Sequence, residues 1–305
     1  MATGSSAPTI SGHSMFAAVI RSTPSESAAG LSRRGRGPND TVACVPSDPP
    51  TRPADGLRRA PGAGLVAGPS RHPVTVAADE VDAFFTALGF RAHQTPEIED
   101  VLHTFDLLGV PADHPTRSPA HTYYVEDGRL LRTHTTSSVL RVLRREPGAA
   151  RRRIVVGGPC YRRTTPGPRF VTQFHQMEAA AVGPEVGLPD AIGTSLALLD
   201  EMLGDDHGAR LRSRALPYVS PGFCVDVPCA PSGCDGCTLC GGRGFVELVS
   251  GGVFTAAVAR AAGVPDGSTA TSVAVSLERL LAIRHGLADI RPFLSPDPHA
   301  LAALA

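Results

Sequence analysis

Apolar residues are so thin over positions 1–71 that only the remainder of this 305-residue chain can bury a core. The stretch holds 10 Leu, Ile, Val or Phe among 71 positions, with 9 Gly and 9 Pro. That is roughly 14%, below the roughly 20% at which chains become too polar to fold. A disordered leader is therefore expected over 1–71, and one folded domain over 72–305. The leader carries 8 Arg against 4 acidic residues. Its start has the Ser- and Arg-rich composition of a transit peptide. The same Arg and Pro bias runs through the whole chain, however, and points to coding composition. No charged n-region precedes an apolar h-region, so a cytoplasmic location is expected rather than secretion.

The chain contains no lysine, and all 29 basic residues are arginines, balanced by 29 acids. This excludes a Walker A lysine, a Schiff-base lysine and a kinase lysine–glutamate pair. Phosphate chemistry, if present, falls to arginine, whose guanidinium fork matches phosphate oxygens. No run of 18 uncharged apolar residues exists, so no membrane-spanning helix is expected.

From His72 the pattern becomes globular. Val81, Phe84, Phe85 and Leu88 recur at helical spacing before Gly89. Thr122–Val125, Arg153–Val156, Phe170–Phe174 and Phe245–Val249 read as short strands. Asp190–Leu203 and Ser276–Gly286 read as helices, capped by Asp190 and by Ser276. Strands and helices mingle without a βαβ rhythm, which predicts an α+β fold.

Four cysteines, Cys229, Cys234, Cys237 and Cys240, follow a C-x4-C-x2-C-x2-C spacing and lead into Gly-Gly-Arg-Gly. Over 229–244 this predicts a small insert that presents four thiolates to a structural zinc. An iron–sulfur centre and disulfides are the alternatives.

Four segments occur in one order: QTPEIEDVLHTFDLLGVPADHPTR (94–117), LLRTHTTSSVLR (130–141), YRRTTPGPRFVTQFHQMEA (161–179) and SLERLLAIRHGLADIRPF (276–293). Together they resemble the catalytic domain of the phenylalanyl-tRNA synthetase alpha chain, a class II aminoacyl-tRNA synthetase. The resemblance implies an antiparallel sheet flanked by helices, with the four-cysteine insert between two of its strands. It also implies formation of an aminoacyl-adenylate from ATP with magnesium, then transfer to tRNA. Arg162 matches the motif 2 arginine at the α-phosphate, and Arg279 the motif 3 arginine at the outer phosphates. Phe174 matches the adenine-stacking position. Gln176 and Glu178 match the pair that holds the α-ammonium group, and alternation puts both on one strand face. His134 and Thr136, two apart in RTHTT and so expected to share a strand face, match positions lining the amino-acid site.

The resemblance further implies an aromatic amino acid as substrate, and dimerisation through the Pro96–Pro115 region or pairing with a beta-type chain. Some positions depart from the family pattern: Thr164 replaces an acid, Phe170 a histidine and Cys224 a glutamate. Ala274-Val275-Ser276 replaces a glycine-rich segment, and Ser250-Gly251-Gly252-Val253 a glycine-rich turn. The coiled-coil arm that grips tRNA has no match in 1–71. These departures bring in two alternatives. One is a paralogue that transfers the activated amino acid to a non-tRNA acceptor. The other is a non-catalytic binding or regulatory module on the same fold.

Overall fold

A computed structural model describes residues 18–20, 71–230, 234, 236–297, 301 and 304. Apart from 18–20 and Arg71, the expected leader lies outside the described residues. The first elements are strand β1 (Ala18–Ile20), helix α1 (Pro73–Ala87), and strands β2 (Arg91–His93), β3 (Ile98–Glu99) and β4 (Leu130–Leu131). Helix α2 (Thr136–Leu143), strands β5 (Arg152–Tyr161) and β6 (Gln173–Gly183), and helix α3 (Leu188–Leu203) follow. Next come strands β7 (Ala209–Ser213), β8 (Val219–Pro228) and β9 (Phe245–Phe254), and helix α4 (Ala256–Ala261). Strand β10 (Thr269–Ser276) runs directly into helix α5 (Leu277–Arg284).

One sheet organises the domain, in the order β1-β7-β8-β9-β10-β6-β5-β2. All its pairings are antiparallel except the parallel β2–β5 edge. With helices packed against it, this is the α+β architecture expected from the sequence. Strand alternation sorts the two faces. Val155, Met177, Ala179, Val225, Val273 and Val275 turn towards the helical layer, where they join Val81, Phe85, Leu198 and Leu280. Burial of each large side chain in that layer contributes about 1.5–3 kcal/mol. On the opposite face a second core gathers Ile154, Val156 and Ala180 with Leu140 and Val258.

Several local expectations differ from the structure. Thr122–Val125 forms no strand beyond an isolated bridge from Tyr124 to Leu130, because Val125 N–H turns back at once to the Arg129 carbonyl. The strand expected from Phe170 begins at Gln173. Helix α3 starts two residues early: Gly187 is its N-cap, and Asp190 is the third helical residue, accepting from Gly187 N–H at 2.8 Å. Pro189 fits there because the first helical turn needs no amide donor. Ser276 does precede α5, but its hydroxyl makes no capping bond. Ser250–Val253 is mid-strand rather than a turn. Its glycines answer to crowding: a Cβ on Gly251 would meet the Ser272 carbonyl at 2.2 Å, and one on Gly252 the Pro221 carbonyl at 2.5 Å.

Candidate active site

Register places Arg212, Cys224, Ser250, Ala274, Glu178 and Val156 side by side across β7, β8, β9, β10, β6 and β5. This row lies on the face turned away from α1, α3 and α5. Glu178 is its most constrained member, at 1% exposure. Its Oε2 accepts from Thr135 Oγ1 at 2.7 Å and from Thr136 Oγ1 at 2.9 Å. Burial raises its pKa, while hydrogen bonds from Thr135, Thr136 and Ser272 pull the other way. No cation pairs with it among the described residues. A buried carboxylate held by hydroxyls alone is an acceptor still short of a positive charge.

Gln176 faces the same side, as alternation predicts, and its Oε1 accepts from Thr135 N–H at 3.2 Å. His134 and Thr136 reach this corner by a different route from the one expected. Strand β4 ends at Leu131, and the chain turns through His134 into α2, so the two residues do not share a strand face. Thr136 opens the helix with its hydroxyl on Glu178. The His134 ring stacks on Tyr218, with centroids 6.2 Å apart. Burial, then the charge of Arg162, pushes the pKa of His134 down to about 3, so the ring is neutral at pH 7. Its Nδ1 is buried without a hydrogen-bond partner. Burial likewise pushes Tyr218 up to about 12.

Beyond Glu178 the face turns basic. Arg162 donates from Nε to the Thr133 carbonyl at 2.9 Å and lies over the Phe174 ring at 4.9 Å. Arg279 donates to the carbonyls of Glu247, at 3.3 Å, and Arg169, at 3.5 Å. Arg169 and Arg279 both lie over Phe170, at 5.3 and 5.5 Å. Phe170 itself is half exposed, and Thr164 is exposed on the same loop. Burial is the main cause that lowers the pKa of Arg279; Glu247 opposes it, and Arg162, Arg169 and Arg214 add to it. These arginines therefore crowd one another, which is how a fold stores affinity for an anion.

Strand β7 and the residue just after it supply more of them. Arg210 and Arg212 both bind Asp226, and Arg212 and Arg214 both bind Glu247. Burial works against the charge of Asp226, but Arg212 and Arg210 outweigh it and hold its carboxyl below the ordinary range. Cys224, fully buried between β7 and β9, is pushed up to about 12 by burial and stays a thiol.

Cys229, Cys234, Cys237 and Cys240 converge, with all four sulfurs within 4.8 Å of one another. The Cys234–Cys240 and Cys237–Cys240 separations are 3.8 and 3.7 Å. A tetrahedral site with metal–sulfur bonds of about 2.3 Å has edges of about 3.8 Å; these two separations match it, Cys229–Cys237 is tighter at 3.1 Å, and four converging thiols are a donor set suited to zinc. Cys237 N–H points at Cys234 Sγ at 3.2 Å, and Cys240 N–H at Cys237 Sγ at 3.5 Å. None of the four is joined in a disulfide in this structure. The loop also braces the basic face: Gly241, at φ +60°, passes so close to Arg169 that a Cβ would meet its guanidinium at 2.5 Å.

The structure thus gathers His134, Thr136, Gln176 and Glu178 in one corner, and Arg162, Phe174 and Arg279 beside a wider basic face. Sequence reasoning missed Thr135, Tyr218, Ser272, Arg169, Arg212 and Arg214. For the strand arginines a signal was present: Arg210, Arg212 and Arg214 alternate, which on a strand puts all three on one face.

One face of this antiparallel sheet thus carries a buried carboxylate beside clustered arginines. The family model described as "tRNA synthetases class II core domain (F)" matches residues 62–304, and the chain belongs to that family. Similar proteins include the "Phenylalanine--tRNA ligase alpha subunit" of Bacillus subtilis, 30% identical over 238 residues, 78% of this chain and 69% of that protein. Its namesake from Bacillus pumilus is 30% identical over 229 residues, 75% of this chain and 67% of that protein. The one from Trichlorobacter lovleyi is 32% identical over 239 residues, 78% and 69% of the two chains. No helix among the described residues is long and apolar enough to cross a membrane.

Proposed function

We propose that this chain activates an amino acid with ATP, as phenylalanine–tRNA ligase does, and passes the acyl group to tRNA. The observation that carries the reading is Glu178, a buried carboxylate without a cation, on the same sheet face as the arginine cluster. An ammonium subsite beside a phosphate subsite suits a substrate pair made of an amino acid and a nucleoside triphosphate. In this scheme Glu178 and Gln176 receive the α-ammonium group, aided by Thr136. His134 and Tyr218 border the side-chain space, which favours an aromatic substrate. Phe174 offers a face to the adenine, and Arg162 takes the α-phosphate. Arg279, with Arg169, takes the outer phosphates.

The amino-acid carboxylate oxygen attacks the α-phosphorus, the bond to pyrophosphate breaks, and the mixed anhydride remains. A tRNA hydroxyl then attacks the acyl carbon and releases AMP. The protein's part is to hold the reactants in line and neutralise charge as it develops. The cysteine loop, on this reading, holds a structural zinc, a closed site with no position for water. The relatives' designation as alpha subunits supports pairing with a second type of chain. Detection of aminoacyl-AMP from ATP and an aromatic amino acid tests the first step. Charging of tRNA by the chain, alone or with a beta-type partner, tests the second, and adenylate without charging would assign a different acceptor.

A further inference from the structure

A divalent cation near the triphosphate would seek oxygen donors on this face. Among the described residues the group there that could hold one is Cys224, Asp226 and Glu247, with ligand atoms within 4.8 Å of one another. Both Asp226 oxygens and Glu247 Oε2 are already engaged by arginines. Asp226 Oδ2 accepts from Arg210 Nη2 at 2.7 Å and Arg212 Nε at 2.5 Å, and its Oδ1 accepts from Arg212 Nη2 at 2.8 Å. Glu247 Oε2 accepts from Arg214 Nη1 at 2.7 Å and from Arg212 Nη2 at 3.3 Å. Cys224 contributes a neutral thiol, a poor donor to a hard cation. Three guanidinium groups and two carboxylates leave the cluster net positive before any cation arrives. These residues do not fit magnesium.

The same arrangement fits phosphate. Arg214 has a side chain 41% exposed and commits one N–H to Glu247, leaving the rest of its fork for a ligand. Glu247 is gripped from the other side, since its main-chain carbonyl accepts from Arg279 at 3.3 Å. Arg214 and Arg279 therefore flank one residue, with Arg169 beside Arg279 on the Phe170 ring. Arg162, Arg169, Arg210, Arg212, Arg214 and Arg279 outnumber Asp226 and Glu247 by four positive charges, the number a fully ionised ATP carries as negative ones.

We propose that Arg214, backed by Arg212, takes the place of a protein-held divalent cation at the outer phosphates. The chain then binds ATP without depending on magnesium. The proposal rests on the ATP-site reading above and names a phosphate ligand that reading did not include.

The test is calorimetric titration of ATP into the full chain, in buffer with magnesium and in buffer freed of magnesium by dialysis. A chelator is avoided because it would also strip the cysteine site. The expected result is affinity equal within about twofold in the two buffers. Arg214→Ala and Arg214→Gln should each weaken ATP by about tenfold or more in both buffers, the scale of a lost charge-assisted hydrogen bond. Their melting curves, kept within a few degrees of the parent, show that the fold survives. Cys224→Asp, which adds a carboxylate to the cluster, should make ATP binding tighter with magnesium than without. Binding that falls about tenfold or more on removing magnesium from the parent chain would overturn the proposal. So would parental affinity in both Arg214 variants. Absence of ATP binding in either buffer would remove the adenylate-forming reading as well.

Discussion

Glu278 grips His175 twice over: its two carboxylate oxygens accept the His175 main-chain N–H at 2.8 and 2.9 Å, and Oε1 meets the ring Nδ1 at 2.7 Å. Glu278 is wholly buried and adjoins Arg279, while His175 sits between Phe174 and Gln176. One carboxylate thus ties the start of β6 to the start of α5 and sets the spacing between the two halves of the candidate site. Glu278→Ala leaves a buried donor unpaired, which costs about 1–3 kcal/mol. A melting temperature several degrees below the parent, with weaker ATP binding, is the expected outcome. An unchanged Tm would show that the tie is not structural.

Arg162 and Arg279 are the arginines proposed for the phosphates, and among the described residues neither holds a carboxylate in an ion pair. Arg162→Ala and Arg279→Ala should lower the rate of adenylate formation by about a hundredfold or more, as loss of one charge-stabilising donor does elsewhere. Folding should be little affected, which circular dichroism would check.

Glu178 makes a prediction about pH. Burial raises its folded pKa above the unfolded value. Its contribution to stability is therefore fully present below the ordinary glutamate range and is lost as pH rises through the raised value. Glu178→Gln removes that penalty. The Tm of the variant relative to the parent should climb from acid to neutral pH, while amino-acid binding is lost. A pH-independent Tm difference would contradict the account, and so would unchanged amino-acid affinity.

The cysteine loop predicts one zinc per chain. Cys240→Ser removes a ligand from a core position and should lower the Tm and release the metal. Purified protein without zinc, with all four thiols open to titration, would count against the site.

Much of this site could be read from strand alternation. Gln176 and Glu178 share a face because period-two geometry requires it, and Phe174 joins them for the same reason. The same rule puts Arg210, Arg212 and Arg214 together, but β7 is short and its only apolar residues are Ala209 and Leu211, too few to mark a strand. Strand β10 escaped notice because Thr269–Ser276 is buried on both faces and shows no alternation. Helix α2 begins Thr-Ser-Ser, residues that favour turns in isolation, and it is held by packing of Val139, Leu140 and Leu143. Thr135 gave no signal at all, since its role comes from a partner 43 positions away.

Exchange of labelled pyrophosphate into ATP reads amino-acid activation directly. The full chain, assayed with a panel of aromatic and other amino acids, should catalyse exchange with at least one of them. Arg162→Ala should lower that exchange by about a hundredfold or more. Exchange absent with every amino acid, in a folded protein that binds ATP, would contradict the account.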